Sequence, residues 1–165
     1  MVRRALKEDF ASAQEILDLA FAPSPCESTL VECVYRSTEV FHDWVYLESD
    51  RIVAYVLYTQ ACRRDELVGW HLAPLAVHPD FQNKGLGSEL IEQTLLESPI
   101  SDEPVFVLGD PNYYERFGFA KTESAQCSYD PGNQHFRAMR WTEADEAFDI
   151  GYSASFKDAE AAMDD

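Results

Sequence analysis

The feature that constrains this chain most is a glycine-containing segment between a β-rich run that ends at Val77 and an amphipathic run of helical spacing. The first backbone amides of a helix have no intrahelical acceptor, and the helix dipole adds partial positive charge at the same place. Two glycines would let a ligand's oxygens approach the backbone without meeting a Cβ. The segment therefore predicts a seat for a phosphate or diphosphate. Its residues are Gln82, Asn83, Lys84, Gly85, Leu86, Gly87 and Ser88.

Two other glycine motifs fit the segment less well. The P-loop pattern needs Gly-Lys followed by Ser or Thr, and the chain contains no such run. The dinucleotide-binding fingerprint needs a third glycine at position 90, where this chain has Leu90. Two glycines also occur in ordinary tight turns, so the segment by itself leaves a purely structural turn open as an alternative.

Around this segment, hydrophobic periodicity predicts a mixed α/β fold with helices lying on a mixed sheet. Asp110 before Pro111 has the pattern of a helix N-cap, and Gly118 has that of a helix stop. Strands are predicted at residues 1–6, 44–47, 52–58, 66–77 and 105–108, from Phe119 onward, and at 136–141 as the last strand. Helices are predicted at residues 7–21, 28–37, 87–98 and 111–117.

Length and composition exclude several classes of protein. The chain has 165 residues, 46% of them hydrophobic, which suits one domain with a real core. A net charge of −17 disfavours nucleic acid and anionic membranes and favours cationic partners, although solubility alone also explains it. No signal peptide or long apolar run is seen, which favours a cytoplasmic protein. The four cysteines and four histidines show no zinc spacing, so no metal site is expected.

A pair of motifs resembles a known family. Residues 73–79 followed by Gln-x-x-Gly-x-Gly look like the acetyl-CoA motif of the GNAT N-acetyltransferase superfamily, and residues 110–119 are similar to its Tyr-x-x-x-Gly-Phe segment. Within that superfamily the chain is most similar to the bacterial YhbS-like N-acetyltransferases. The resemblance covers residues 1–141 as one GNAT-like domain. It does not cover residues 142–165, which form an acidic extension. Part of this extension is expected to dock on the domain as a helix through Phe148, Tyr152 and Phe156, and the rest is expected to be frayed.

The resemblance implies a fold and a co-substrate. The sheet is expected to be mostly antiparallel with one splayed parallel pair, strands 72–77 and 105–108, and acetyl-CoA is expected to bind in the gap. The backbone of Leu75, Ala76 and Val77 would pair with the pantetheine arm, and the Leu75 amide would bind the thioester oxygen. Asn112, at the start of a short helix, would hydrogen-bond the cofactor, or else serve as a turn residue.

The resemblance also implies catalytic roles. Tyr114 occupies the position of a general acid that protonates the leaving thiolate, whereas Tyr113 is expected to pack elsewhere. His71, four residues before Leu75, is the candidate base in a position where similar enzymes often have glutamate, and an ordinary strand histidine is the alternative. Glu66 is the reserve candidate, and many members rely on solvent.

These expectations define an N-acetyltransferase that transfers an acetyl group to a primary amine by direct attack on the thioester. The acceptor would be a small-molecule or peptide amine, favoured to be cationic, and superfamily members often form homodimers. The alternative from another class is a catalytically silent CoA-binding sensor or interaction module. A longer acyl chain is a further alternative.

Overall fold

The computed structural model describes residues 1–164 of the chain. Its strands are β1 (Val2–Arg4), β2 (Phe41–Glu48), β3 (Arg51–Arg63), β4 (Glu66–Val77), β5 (Val105–Leu108), β6 (Ala125–Gln126), β7 (Phe136–Met139) and β8 (Phe148–Asp149). Its helices are α1 (Phe10–Ala20), α2 (Cys26–Arg36), α3 (Leu86–Thr94), α4 (Pro111–Tyr114) and α5 (Ala154–Asp164).

Six of the strands form one mixed sheet in the order β1-β2-β3-β4-β5-β7. Each neighbouring pair is antiparallel except β4 and β5, which run parallel. β6 and β8 form a separate two-stranded parallel ribbon. The predicted fold class, a mostly antiparallel mixed sheet with one parallel pair and flanking helices, is confirmed.

Helices cover both faces of this sheet. α3 packs on one face, over a cluster that includes Trp44, Tyr58 and Leu72. α1 and α2 cover the opposite face, where their apolar side chains pack against Tyr55. β3 is buried without interruption over residues 53–59, because it lies at the centre of the sheet with helices on both sides. Burial of each large apolar side chain in these two layers stabilises the fold by about 1.5–3 kcal/mol.

The parallel pair β4 and β5 stays together only at one end. Trp70 pairs with Val105 and His71 with Phe106, and no further pair forms between the two strands within the described chain. β5 instead continues its pairing with β7 on its other side as far as Leu108. The sheet therefore opens into a cleft between residues 72–77 of β4 and the end of β5.

A β-bulge lies where β4 leaves β5. Val56 and Tyr58 are two positions apart on β3, whereas their partners on β4, Leu75 and Leu72, are three positions apart. The extra residue lies in the segment 73–74, which contains a proline. A proline has no N–H for the ladder, and a bulge is one of the few sheet positions that accepts it. The extra residue interrupts the alternation of side chains between the two faces of the sheet. It therefore changes which side chains of β4 face α3.

The structure corrects two predictions about the second half of the chain. No extended strand begins at Phe119, because Ala120 makes only an isolated bridge to Ala138 and the next strand is β6. The segment at 136–141 is strand only as far as Met139, and it is not the last one. Arg140 has a φ of 56°, a left-handed conformation that ends the extended run.

The acidic C-terminal segment folds against the rest of the chain. Phe148 lies in β8 and not on a helix, so the four-residue period at Phe148, Tyr152 and Phe156 does not describe one helix. Helix α5 begins at Ala154 and packs against α2, with Ala159 buried at their contact. The helix extends to the last described residue, so within residues 1–164 the tail has no long irregular end.

Candidate active site

The glycine segment forms a concave surface lined with backbone amides. The first helical hydrogen bond of α3 runs from the Glu89 N–H to the Gly85 carbonyl at 3.0 Å. Among the described residues, none of the six amides from Asn83 to Ser88 donates to another group. A cavity of about 280 Å³ is lined by five of these six residues, all but Lys84, and also by Val77 and by the α4 region. Unpaired amides at a helix N-terminus are suited to an anion.

Gly85 and Gly87 are glycines for different structural reasons. Gly85 has a φ of 80° in open space, so it is required by backbone conformation. Gly87 is helical, and a Cβ placed on it would lie 3.2 Å from the Tyr113 Oη and 3.3 Å from a Val77 methyl. Asn83 also has a positive φ, 62°, which asparagine tolerates better than most residues.

Two cationic side chains lie near this cavity, and only one of them lines it. Lys84 is exposed, lies 5.2 Å from the Phe81 ring centroid and does not line the cavity. Arg116 does line it, with its guanidinium 4.2 Å from the Tyr113 ring centroid and its Nε donating to the Tyr113 carbonyl at 2.9 Å. Sequence reasoning missed Arg116, although its position three residues after Tyr113 on a helical turn was a usable signal.

Other predicted cofactor residues divide into those at the cavity and those outside it. Gln82 lines the cavity and donates from Nε2 to the Val77 carbonyl at 2.9 Å. Ser88 Oγ lies 3.3 Å from the Tyr113 Oη. Asn112 is exposed and outside the cavity, and its backbone N–H donates to the N-cap carboxylate of Asp110 at 3.0 Å. The structure thus favours a turn role for Asn112.

The edge of β4 that faces the cleft carries unpaired backbone groups. The His78 N–H donates to the Val53 carbonyl at 2.8 Å, which makes this a hydrogen-bonded antiparallel pair. Residues along a strand alternate in the side to which they point their N–H and C=O groups. Leu75 and Val77 therefore direct their backbone groups away from β3 and into the cleft. Ala76 directs its groups to β3, so it is not placed to pair with a ligand in the cleft.

Tyr114 is partly buried against the core cluster under α3 and is not among the residues that line the two larger cavities at the cleft. Its ring packs edge-on against Phe119, with centroids 5.9 Å apart, and a Cβ on Gly109 would come within 2.6 Å of it. Burial, with smaller contributions from the nearby Tyr113 and Asp110, raises the pKa of Tyr114 to about 12. The phenol is therefore protonated at all physiological pH values. Tyr113 packs against the core cluster under α3, as expected, and its hydroxyl end also lines the amide-lined cavity.

His71 is fully enclosed, with 1% of its surface exposed. Its Nε2 lies 3.0 Å from the Gly151 carbonyl oxygen, and its ring stacks on Tyr152 with centroids 3.8 Å apart. Burial lowers the pKa of His71 to about 4, against a small opposing effect of the Gly151 hydrogen bond. Such an imidazole is neutral at pH 7 and a weak base toward an alkylammonium with a pKa near 10. Glu66, the reserve candidate, is exposed at the far end of β4 opposite Arg63.

A second cavity, of about 390 Å³, lies on the other face of the sheet, between β4, β5, α2 and α5. His71, Leu72 and Ala73 form its floor beside the bulge, together with Phe106 of β5. The floor therefore includes both strands of the cleft, and a molecule in this cavity would approach the cleft from the side opposite α3. No sequence pattern predicted this cavity.

Neither a metal site nor a membrane-spanning helix is found in the part of the chain that the structure describes. Within residues 1–164 no three His, Cys, Asp or Glu side chains converge as metal ligands would. Among the same residues, no helix is both long and apolar enough to cross a membrane.

Comparison with known proteins identifies relatives of this arrangement. Residues 40–121 match the model of the family described as acetyltransferase (GNAT) domain. The chain is 38% identical over 73 residues to the uncharacterized N-acetyltransferase YjhQ of Escherichia coli K12, a match that covers 42% of this chain and 40% of the relative. The match thus spans about two fifths of that relative's length.

Solved structures share the fold. The GNAT family N-acetyltransferase YhbS from Escherichia coli, in complex with CoA, superposes with a TM-score of 0.83 at 23% identity and covers 95% of this chain and 91% of its own. A GNAT family acetyltransferase from Brucella melitensis, in complex with acetyl-CoA, gives a TM-score of 0.77 at 21% identity, covering 94% and 97%.

Proposed function

Because the chain belongs to the GNAT acetyltransferase family, we propose that it transfers an acetyl group from acetyl-CoA to a primary amine by direct attack on the thioester. The observation that carries this proposal is the run of unpaired amides from Asn83 to Ser88, which lies next to a strand edge where the backbone of Leu75 and the N–H of Val77 point into the cleft. One element binds a diphosphate and the other an extended amide chain, and coenzyme A contains both groups.

The amide-lined cavity fits the diphosphate of coenzyme A. Backbone donors from five residues of the segment 83–88, all but Lys84, and the Arg116 guanidinium line a space that a Cβ at position 87 would narrow. The chain carries a net charge of −17, so its overall field repels an anion, and local donors must hold it. Arg116 supplies the charge that Lys84, placed over Phe81, does not bring to the cavity.

The cleft edge of β4 positions the reacting end. The backbone of Leu75 and the N–H of Val77 bind the pantetheine amides as a neighbouring strand would, whereas the Val77 carbonyl already accepts from Gln82. The Leu75 N–H, next to the bulge, donates to the thioester oxygen as negative charge develops on it. Loss of one such oxyanion donor costs about 2.7–4 kcal/mol in transition-state stabilisation.

Proton transfer completes the reaction. Acetyl-CoA supplies an activated carbonyl; the amine nitrogen forms a bond to its carbon, and the carbon–sulfur bond breaks. Tyr114 donates its phenolic proton to the leaving thiolate, and solvent restores it. The amine loses its proton to solvent, because His71 is too weak a base to take it from an alkylammonium. His71 instead keeps an unprotonated Nδ1 that can accept a hydrogen bond from the neutral amine.

Two measurements test this function. Calorimetric titration should give a micromolar dissociation constant for acetyl-CoA, and mixing the complex with a panel of primary amines should release free CoA thiol. No heat of binding at millimolar acetyl-CoA would reject the proposal. Tight binding without thiol release on any amine would instead support a CoA-binding module without catalytic activity.

A further inference from the structure

The second cavity has apolar walls and a mouth that carries carboxylates. α2 and α5 supply its sides, with Leu30, Phe156 and Ala159 facing inward and Met163 nearer the opening. Half-enclosed apolar space of about 390 Å³ with few polar groups is typical of a site for a small molecule rather than for a protein surface.

The floor of the cavity holds an unsatisfied hydrogen-bond acceptor. A carbonyl oxygen only accepts, so the His71 Nε2 must donate to Gly151, and in the neutral ring this leaves a lone pair on Nδ1. That Nδ1 is buried and has no partner among the described residues. A buried acceptor without a partner costs free energy, about 1–3 kcal/mol, unless a ligand supplies a donor. Because Nδ1 is closed to solvent in this structure, an amine N–H from the cavity would be such a donor only once the side chains that cover Nδ1 move aside.

The mouth of the cavity carries two carboxylates from different helices. Glu27 lies in the first turn of α2 and accepts from Ser24 Oγ at 3.2 Å. Glu160 of α5 accepts from the Tyr129 hydroxyl at 2.9 Å, and Tyr129 also lines the mouth. Neither carboxylate lies within 4.0 Å of a lysine, arginine or histidine side chain of the described chain. Both are therefore available to a cationic ligand.

We propose that the acceptor is a small dicationic amine. Its reacting nitrogen lies at the floor beside His71 and the bulge, an apolar segment crosses the cavity, and its second ammonium lies between Glu27 and Glu160 at the mouth. This inference rests on the proposed function and adds the substrate class to it. The apolar wall excludes a hydrated charge in the middle of the acceptor, and the two carboxylates select one at its far end.

The test compares linear diamines of about four to eight carbons with the monoamine and the amino alcohol of equal length. With wild-type protein, kcat/KM for the best diamine should exceed that for its matched monoamine by about tenfold or more, the effect of a charge-assisted contact. The difference should lie in KM. Equal kcat/KM for diamine and monoamine would overturn the inference.

Charge variants locate the effect. Glu27→Gln and Glu160→Gln should each raise KM for the diamine about fivefold, as expected for partly exposed ion pairs, and leave the monoamine unaffected. The double variant should remove the preference for diamines. Asp158→Asn removes one charge from an exposed position of α5 outside the cavity. This variant is the matched control and should keep the preference for diamines. A double variant that retains the preference would contradict the assignment.

A binding measurement separates this inference from the proposed function. Calorimetric titration of the diamine into CoA-saturated protein needs no turnover, and affinity should fall in the Glu27 and Glu160 variants. If no amine releases thiol, the proposed function fails while the binding data still decide the acceptor class. If monoamines are acetylated as well as diamines, only the acceptor class fails.

Discussion

The Nε2 of His71 lies 3.0 Å from the carbonyl oxygen of Gly151, which joins the central strand β4 to the C-terminal segment. The same glycine exchanges backbone hydrogen bonds with Cys62 of β3, so its carbonyl is held in place. Tyr152 then stacks on the imidazole. The C-terminal segment therefore fixes the tautomer and the orientation of His71 and also builds one wall of the second cavity.

The first prediction concerns Gly85, with Gly132 as its control. Both glycines have left-handed φ angles, 80° and 88°, and no atom within 4 Å of an added Cβ. Gly85→Ala and Gly132→Ala should therefore lower stability equally, by about 1 kcal/mol, in thermal unfolding. Only Gly85→Ala should also weaken acetyl-CoA binding, by about tenfold in calorimetry, since it disturbs the amide cavity. Equal affinities in the two variants would contradict the proposed seat.

The second prediction concerns Arg116. Arg116→Gln should raise the dissociation constant of acetyl-CoA about tenfold, because a charge-assisted hydrogen bond contributes about 1.5–3 kcal/mol. The loss should be smaller at high salt, where exposed charges are screened. Arg36→Gln, at an exposed arginine of α2 paired with Glu32, is the control and should bind as wild type does. An Arg116 variant with wild-type affinity would show that the backbone amides suffice.

The third prediction separates the two neighbouring tyrosines. Tyr114→Phe should lower kcat by about 10²-fold, the usual reach of general acid catalysis, with little change in acetyl-CoA affinity. Tyr113→Phe should leave kcat within about threefold and weaken binding instead, because its hydroxyl lies at Ser88 in the amide-lined cavity. Steady-state rates and calorimetry distinguish the two. A Tyr114→Phe enzyme with an unchanged kcat would remove Tyr114 from the mechanism.

The fourth prediction concerns pH and His71. Its pKa is lowered to about 4 by burial, whereas an unfolded histidine titrates near 6.5. Below pH 6.5 the unfolded chain binds a proton that the folded chain does not accept until about pH 4. The contribution of His71 is therefore fully present above pH 6.5 and is lost as the pH falls toward 4, by roughly 3 kcal/mol in all.

Urea unfolding at pH 7 and pH 5 measures this dependence. The wild type should lose more stability between these two values than His71→Phe does, because the variant lacks the group. His135→Asn, at an exposed histidine, should retain the wild-type dependence. Parallel pH curves for the wild type and His71→Phe would mean that His71 titrates normally.

The fifth prediction concerns the order of the chemistry. Direct attack on the thioester needs both substrates bound at the same time, because no acylated enzyme forms. The two cavities on opposite sides of the cleft allow this. Double-reciprocal plots of initial rate against acetyl-CoA concentration, measured at several amine concentrations, should give lines that intersect. Parallel lines would indicate ping-pong kinetics with an acylated enzyme.

The sequence could predict features that local chemistry determines. The strand at Glu66–Val77, the helix after the glycine segment and the N-cap at Asp110 depend on periodicity and on nearby residues, and all three are present. The glycine segment was recognisable because Gly85 has a backbone conformation that few other residues adopt. Arg116 was given no role, and the position of Tyr113 at the cavity was not foreseen, since the direction of a side chain on a single helical turn depends on what packs beside it.

What the sequence by itself determined is the fold and the glycine turn that leaves helix amides unpaired, because strand and helix patterns and the two glycines act over a few residues. Only the tertiary structure decided the pKa of His71, the cation at the seat and the cavity between α2 and α5. Glu27 and Glu160 are far apart in the chain, and they line one cavity only because α5 packs against α2. Burial and convergence of this kind depend on long-range packing, which no local pattern encodes.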